Sequence, residues 1–316
     1  KDLLEQRRVA VLKKHPLIGF TLFGVVLFLV SNRVDELRVF QGATVAIYVI
    51  AIASIILLTG YSGQVSLGHG ALLAIGGYAA ALSRNHWGAP VWLTFVIAVL
   101  AAALGGYLLG LAAARLSGPY LAGTTLALAI GLPSIANQFS IFGGEQGLLY
   151  DIGMPPASLG ADFTQYKWYF WIASLAALIA IYWLRNVMNS RYGRNWKAVR
   201  GNDVAAELAG INVGRNKVLA FTVSAGLAGL AGALLAMTIS TVSPGAFPLA
   251  LSFSLATGAV LSGVTTLGGV MIGAVTLVAI PEIVDTVVHR FESSETVANN
   301  LPGLLVSTLL ILTVLF

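Results

Sequence analysis

Apolar positions in this chain gather into long runs at about 17–31, 40–59, 62–83, 90–114, 119–138, 167–184, 218–241, 252–288 and 301–316. A helix needs roughly 20 residues, at about 1.5 Å rise each, to cross a hydrocarbon core ~30 Å thick. Most of the runs are close to that length. The run 252–288 is too long for one crossing, and Thr265-Thr266-Leu267-Gly268-Gly269 divides it into two spans or a broken pair. Ten crossings result if every run is complete. The doubtful run is 62–83, because Gln64, Ser66 and His69 stand in its first third. The first run, Leu17 to Val30, lacks a small-residue cleavage pattern and more spans follow, so it reads as a membrane helix rather than a signal peptide.

Charge orients these spans. Lys1, Arg7, Arg8, Lys13 and Lys14 precede the first, and Arg185, Arg191, Arg194, Lys197, Arg200, Arg215 and Lys217 crowd the segment between 184 and 218. Lys and Arg accumulate on the cytoplasmic side, so both segments are expected there. Six runs lie between them, an even number, and the topology closes only if 62–83 crosses. It is therefore expected to be a crossing helix entered through irregular backbone. The segment 139–166 then faces outside, with Glu145, Asp151 and Asp162 and no Lys or Arg. The aromatic run Tyr166, Trp168, Tyr169, Phe170 and Trp171 fits an interfacial belt. Residues 289–300 are expected outside and the C-terminus inside, and the apolar end at Phe316 predicts further residues beyond it.

Composition agrees: 57% hydrophobic, 10% charged, mean hydropathy +0.86, and only Arg84 and Arg115 charged between Val39 and Gly144. A soluble domain carries about 25% charged residues. The expectation is an all-α polytopic membrane protein of about 9–10 transmembrane helices, at least one of them broken, with a cytoplasmic N-terminus. A cytoplasmic segment, 1–16, would precede one transmembrane domain, 17–316, that includes the loops 185–217 and 139–166. The net charge of +5 reports orientation rather than nucleic-acid binding, and the lack of cysteine excludes disulfides and thiolate metal sites.

The stretch from Gly60 to Ala71, Gly-Tyr-Ser-Gly-Gln-Val-Ser-Leu-Gly-His-Gly-Ala, sets polar groups among glycines beside a long uncharged run. Lipid would leave those groups unsatisfied, so they must face protein or a water-filled path. An unwound helix presenting Gln64, Ser66, Gly68, His69 and Gly70 to a solute is one reading. A glycine-packed turn with His69 hydrogen-bonded to a neighbouring helix is the other, and spacing alone does not choose between them. A metal or catalytic role for His69 is disfavoured, since no second ligand lies at suitable spacing. In the basic loop, Asn202 or Asp203 can cap a short helix on which Val204, Leu208 and Ile211 form an apolar stripe, with Gly210 as its stop. A partner protein or the membrane surface would receive that stripe.

These stretches, with Gly76-Gly77-Tyr78, closely resemble the signature of the branched-chain amino acid ABC transporter permease family, in its LivM-type membrane subunits. Lys197-Ala198-Val199-Arg200 and Asp203 through Asn212 look like that family's cytoplasmic segment. Lys217, Ala220-Phe221 and the stretch from Ser224 to Gly232 are similar too, as is the external Gly143-Gly144-Glu145-Gln146-Gly147-Leu148. The likeness runs from about residue 40 to the C-terminus. It implies a bacterial inner-membrane permease subunit of an importer, with a paralogous permease, two cytoplasmic ATPases and an extracytoplasmic solute-binding protein as partners. It also implies that Asp203, Val204, Glu207, Leu208, Gly210 and Ile211 form the element that couples to an ATPase. The chain itself would be no enzyme and bind no cofactor, ATP and Mg²⁺ belonging to the partners. Independently, Gly-Lys never occurs, so the chain has no Walker-type nucleotide loop. The late segment 257–269 and the Glu145-Gln146 filling depart from the pattern, which leaves urea or short amides as alternative solutes.

An ion-coupled transporter would want an acid at mid-depth, and no carboxylate precedes Glu282 in the apolar core; a membrane enzyme would want clustered His, Asp or Ser, and the histidines (15, 69, 86 and 289) are scattered. Glu282 and Asp285 sit near the outer end of a predicted span, where an interfacial role is expected. Gly106–Gly110 and Gly269–Gly273 have helix-packing spacing. The echo of Gly68-Ala71-Leu72-Leu73-Ala74 in Gly232–Ala236 hints at an internal repeat.

Overall fold

The computed structural model describes residues 16–116, 118–156, 159, 163–263 and 267–290, together with 301, 304, 305, 308, 311 and 312. In lipid a backbone can satisfy its own polar groups by helical hydrogen bonding, and the apolar runs do so. The helices are α1 (Pro16–Ser31), α2 (Glu36–Ile55), α3 (His69–Trp87), α4 (Val91–Ala113), α5 (Pro119–Gln138), α6 (Gln165–Asn189), α7 (Arg191–Gly201), α8 (Asp203–Leu208), α9 (Val213–Ile239), α10 (Leu249–Leu261) and α11 (Val270–Arg290). A π-helical turn, Ile56–Tyr61, prolongs α2. The strands among the described residues, β1 (Leu148–Leu149) and β2 (Thr241–Val242), form one short antiparallel pair. Among the described residues seven helical stretches are long and apolar enough to cross a membrane, and the chain is an all-α polytopic membrane protein.

Helix α9 is the centre. Its most apolar window is 78% buried, against 22% for α4. Small residues let its neighbours reach its backbone: a Cβ on Gly76 of α3 would stand 2.2 Å from the Gly229 carbonyl oxygen, and one on Gly106 of α4 2.7 Å from that of Phe221. Close approach of this kind supplies packing energy where lipid removes the hydrophobic drive between helices. The second predicted spacing behaves alike, since a Cβ on Gly273 of α11 would meet the Gly258 carbonyl of α10 at 2.3 Å. On the outer face of α4, Trp92, Val96, Leu100, Leu104 and Leu108 recur every four residues and are exposed. Such a stripe suits hydrocarbon, not water.

Contacts at the helix ends give the direction of each crossing. Phe20 packs on Tyr182 near one end of α6, while Phe28 packs on Trp171 near the other, so α1 and α6 are antiparallel. Phe40 on Tyr166 places the start of α2 at that second end. Residues 60–64 reach Arg200 and Lys217 at the first end. Arg84 and Asn85, closing α3, donate to the carbonyls of Asp151 and Leu149 beside the strand pair at the second. Helix α3 therefore runs from the side of the basic loop to the side of 148–151. Six helices, α1 to α6, lie between the two basic segments, the even number expected, although α1 and α3 are not among the seven stretches long and apolar enough to cross.

Several expectations change in detail. The run 252–288 does divide, but α10 has only 13 residues, about 20 Å of helix. Phe247 lies against Gly77 and Ser252 against Gly70, so α10 begins part-way down α3 after a 3₁₀ turn at Pro244–Ala246 and is itself a broken span. The aromatic run is not a lipid-facing belt throughout: Tyr169 and Phe170 are buried, Phe170 against Gly42 of α2, and Trp171 Nε1 donates to Ser31 Oγ. Gly68 caps α3 whereas Gly232 lies inside α9, so the short echo does not mark equivalent local structure. The segment 1–15, Asp162, residues 291–300 and most of the last predicted span lie outside the described residues.

Candidate functional site: a broken helix beside an exposed helical segment

The break after α2 satisfies its own backbone. Ser62 N donates to Leu57 O at 3.2 Å and Gln64 N to Leu58 O at 3.1 Å, while Thr59 Oγ1 donates to Gln64 O at 3.2 Å. Gly63 takes φ +72°, the left-handed region that glycine adopts without strain. The chain then runs extended to His69, where α3 begins, its first residues ringed by hydroxyls from four helices. Leu67 N donates to Thr125 Oγ1 of α5 (3.0 Å) and Gly70 N to Ser252 Oγ of α10 (2.9 Å). His69 Nε2 lies 3.0 Å from Ser54 Oγ of α2 and 3.3 Å from Ser224 Oγ of α9, and its Nδ1 lies 3.4 Å from Ser66 Oγ.

This geometry sets the tautomer. Ser54 Oγ already donates to Ala51 O and Ser224 Oγ to Ser54 O. Each hydroxyl has a single proton, so toward His69 both act as acceptors and Nε2 carries the hydrogen. Nδ1 is then free to accept from Ser66. A neutral ring satisfies the whole cluster, and His69 is fully buried.

Gln64 is placed differently. Its Nε2 donates to Ser62 Oγ (2.6 Å) and to the Lys217 carbonyl (3.3 Å), which fixes the amide orientation because a carbonyl needs a donor. Its Oε1 is buried without a partner among the described residues. Gln64 lines a cavity of about 440 Å³ together with Gly63, Val65, Arg200, Asn202 and Lys217. The five residues singled out by sequence thus separate: Gln64 borders open space, whereas Ser66, Gly68, His69 and Gly70 are buried among helices. Ser54, Thr125, Ser224 and Ser252 were missed. Their runs carry other hydroxyls too, Thr44 and Thr59 beside Ser54 and Thr222 and Thr238 beside Ser224, so no local pattern singles these four out.

On the far side of the cavity, Ser190 caps α7, whose Trp196 is buried and donates from Nε1 to Asn216 O at 3.0 Å. Asn202, rather than Asp203, caps α8, accepting from Ala205 N at 3.0 Å, and Gly210 stops the segment at φ +81°. Asp203 instead pairs with Lys217 Nζ at 2.5 Å. Val204 and Leu208 are 67% and 85% exposed, Glu207 is exposed, and Ile211 is half-buried. The capped helix thus holds an apolar pair outward. Among the described residues no three His, Cys, Asp or Glu gather to hold a metal ion. Glu282 is exposed on α11; nothing is described of the Asp285 side chain.

The family model described as "Branched-chain amino acid transport system / permease component" matches residues 39–315. The chain belongs to this permease family. The permease is 30% identical over 262 residues to the high-affinity branched-chain amino acid transport system permease protein LivM of Escherichia coli (strain K12), covering 75% of this chain and 61% of that one. It thus spans about three fifths of the length of the LivM relatives it matches. It is 29% identical over 256 residues to the ribose import permease protein RbsC of Haemophilus influenzae, covering 77% and 71% of the two chains. It is also 29% identical over 148 residues to the permease protein LivH of Salmonella typhi, covering 47% and 44%. No solved structure matches it. Family and apolar helices together make it a multi-pass protein of the bacterial inner membrane.

Proposed function

We propose that this permease is the membrane-spanning subunit of an ATP-driven importer and forms, with a second permease subunit, the path for a branched-chain amino acid. Exposed Val204 and Leu208 on the capped helix α8 carry the reading most directly. They offer an apolar docking surface at the end where Lys and Arg accumulate, beside the break in α2. Two cytoplasmic ATPases would dock there and supply ATP and Mg²⁺ chemistry that a chain without a Walker loop lacks. An extracytoplasmic binding protein would deliver the solute to the side of 139–156. The permease performs no chemistry on it. Gln64, with Ser66, Gly68, His69 and Gly70 behind it, is our assignment for the pathway, Gln64 touching the solute and the others holding the break in shape.

The relative named for branched-chain amino acids favours leucine, isoleucine or valine; the one named for ribose favours a polar solute as the second reading. Uptake of labelled leucine, ribose and urea into proteoliposomes holding the full complex and its binding protein separates them. Uptake of leucine, displaced by isoleucine and valine, is expected. Transport of ribose or urea with leucine excluded would overturn the solute assignment and leave the importer reading standing.

A further inference from the structure

The exposed helical segment 191–208 and the broken helix are fastened together by side-chain contacts from Arg200, Lys197 and Lys217, to which neither the family resemblance nor the proposed solute path gives a role. Arg200, the last basic residue of α7, donates from its guanidinium to the Gly60 carbonyl inside the π-helical turn. Its stem lies along Gly63, where an added Cβ would stand 2.9 Å from Arg200 Cγ. One turn earlier on the same face, Lys197 Nζ sits 4.8 Å from the centre of the Tyr61 ring, a cation–π contact. From the start of α9, the Lys217 carbonyl accepts from Gln64 while its ammonium pairs with Asp203 of α8. Residues 60–64 are thereby gripped from α7 and α9, and α8 is tied to the same grip.

Space and strain lie where movement would need them. A close-packed interior resists displacement, but the 440 Å³ cavity separates residues 62–65 and 199–204 from Ala113, Leu116, Gly118 and Leu121 at the facing ends of α4 and α5. The gripped unit can shift into that volume without displacing a packed side chain. π-Helical turns are rare and occur often at functional sites. The Gln64 Oε1 left without a donor marks this arrangement as one whose polar groups are not all satisfied.

We infer that Arg200, with Lys197 and Lys217, is a positioning residue that makes the docking segment 191–208 and the break at 56–64 move as one body, carrying displacement of α8 to Gln64. The inference rests on the proposed importer function. Its test uses the complete complex in proteoliposomes, with ATP hydrolysis and solute uptake measured on one preparation. Arg200→Ala is expected to leave ATP hydrolysis largely intact and to lower uptake per ATP by about fivefold or more, in the range of ordinary coupling energies. A merely structural role would lower both in parallel. Because the chain has no cysteine, Tyr61→Cys and Lys197→Cys can be joined selectively by a short bifunctional thiol reagent. Joining them in the Arg200→Ala background is expected to restore uptake per ATP, the same molecules before cross-linking controlling for folding. Unchanged uptake per ATP in Arg200→Ala, a parallel loss of both activities, or no recovery on cross-linking would each overturn the inference. Absence of ATP-driven uptake in the unsubstituted complex would instead overturn the function beneath it.

Discussion

His69 joins four segments through three hydroxyls, and its replacement shows what a buried polar cluster costs when one member is removed. In His69→Ala the Ser54, Ser66 and Ser224 hydroxyls lose a shared partner and the ring leaves a void. The two effects together predict a loss of about 2–4 kcal/mol, read from denaturant unfolding in detergent. The Nε2–H tautomer is checked separately by the ¹⁵N shifts of histidine-labelled protein; an Nδ1–H ring would contradict the assignment. Tyr150 offers a second case at the external face. Burial pushes its phenol up to about 12, against a hydrogen bond with Thr94 and the charge of Arg84 that act the other way. A raised folded value favours the protonated phenol, so its contribution is complete below pH ~10 and is lost as pH rises toward 12. Unfolding between pH 9 and 12 should therefore show an alkaline decline that Tyr150→Phe lacks. The Tyr150 role was not legible in sequence, whereas a His69 hydrogen-bonded to neighbouring helices was one of the two readings the sequence left open. His69 stood out as polar in an apolar run, but of its three hydroxyl partners only Ser66 is local; Ser54 and Ser224 lie 15 and 155 residues away, which no local pattern reports.

At the scale of elements, the sequence carried more. The cap and stop of α8 are local interactions and both are present, the Asn202 cap and Gly210 at φ +81°, while the stripe is cut short: Val204 and Leu208 are exposed on the helix, but Ile211 lies beyond its end and is half-buried. The GxxxG spacings announced close helix packing for the same reason. Helix α10 was harder, because its start depends on Phe247 and Ser252 finding Gly77 and Gly70 on another helix, not on its own apolar length. The aromatic run at the head of α6 misled similarly: an interfacial residue and one packed on α2 share the same composition. Leu208→Asp is the informative change for α8. Since Leu208 is 85% exposed, membrane insertion and thermal stability should be unaffected, while co-purification of the ATPase subunits is lost. Full retention of the ATPases would remove α8 from the docking surface.

For the molecule as a whole, charge distribution and span counting gave the topology before any contact was known. Helix-end contacts give the same parity, with the break at 56–68 and the docking segment 191–208 at one end of the bundle and the strand pair at the other. On the proposed function, ATPase movement would enter at α8, pass through Arg200 to the break and change the surroundings of Gln64. The most direct test is uptake into proteoliposomes holding both permease subunits, the ATPases and the binding protein, with and without internal ATP. Uptake that requires ATP and the ATPase chains is expected. Uptake at the same rate by the permease pair alone, with no ATP, would contradict the importer account.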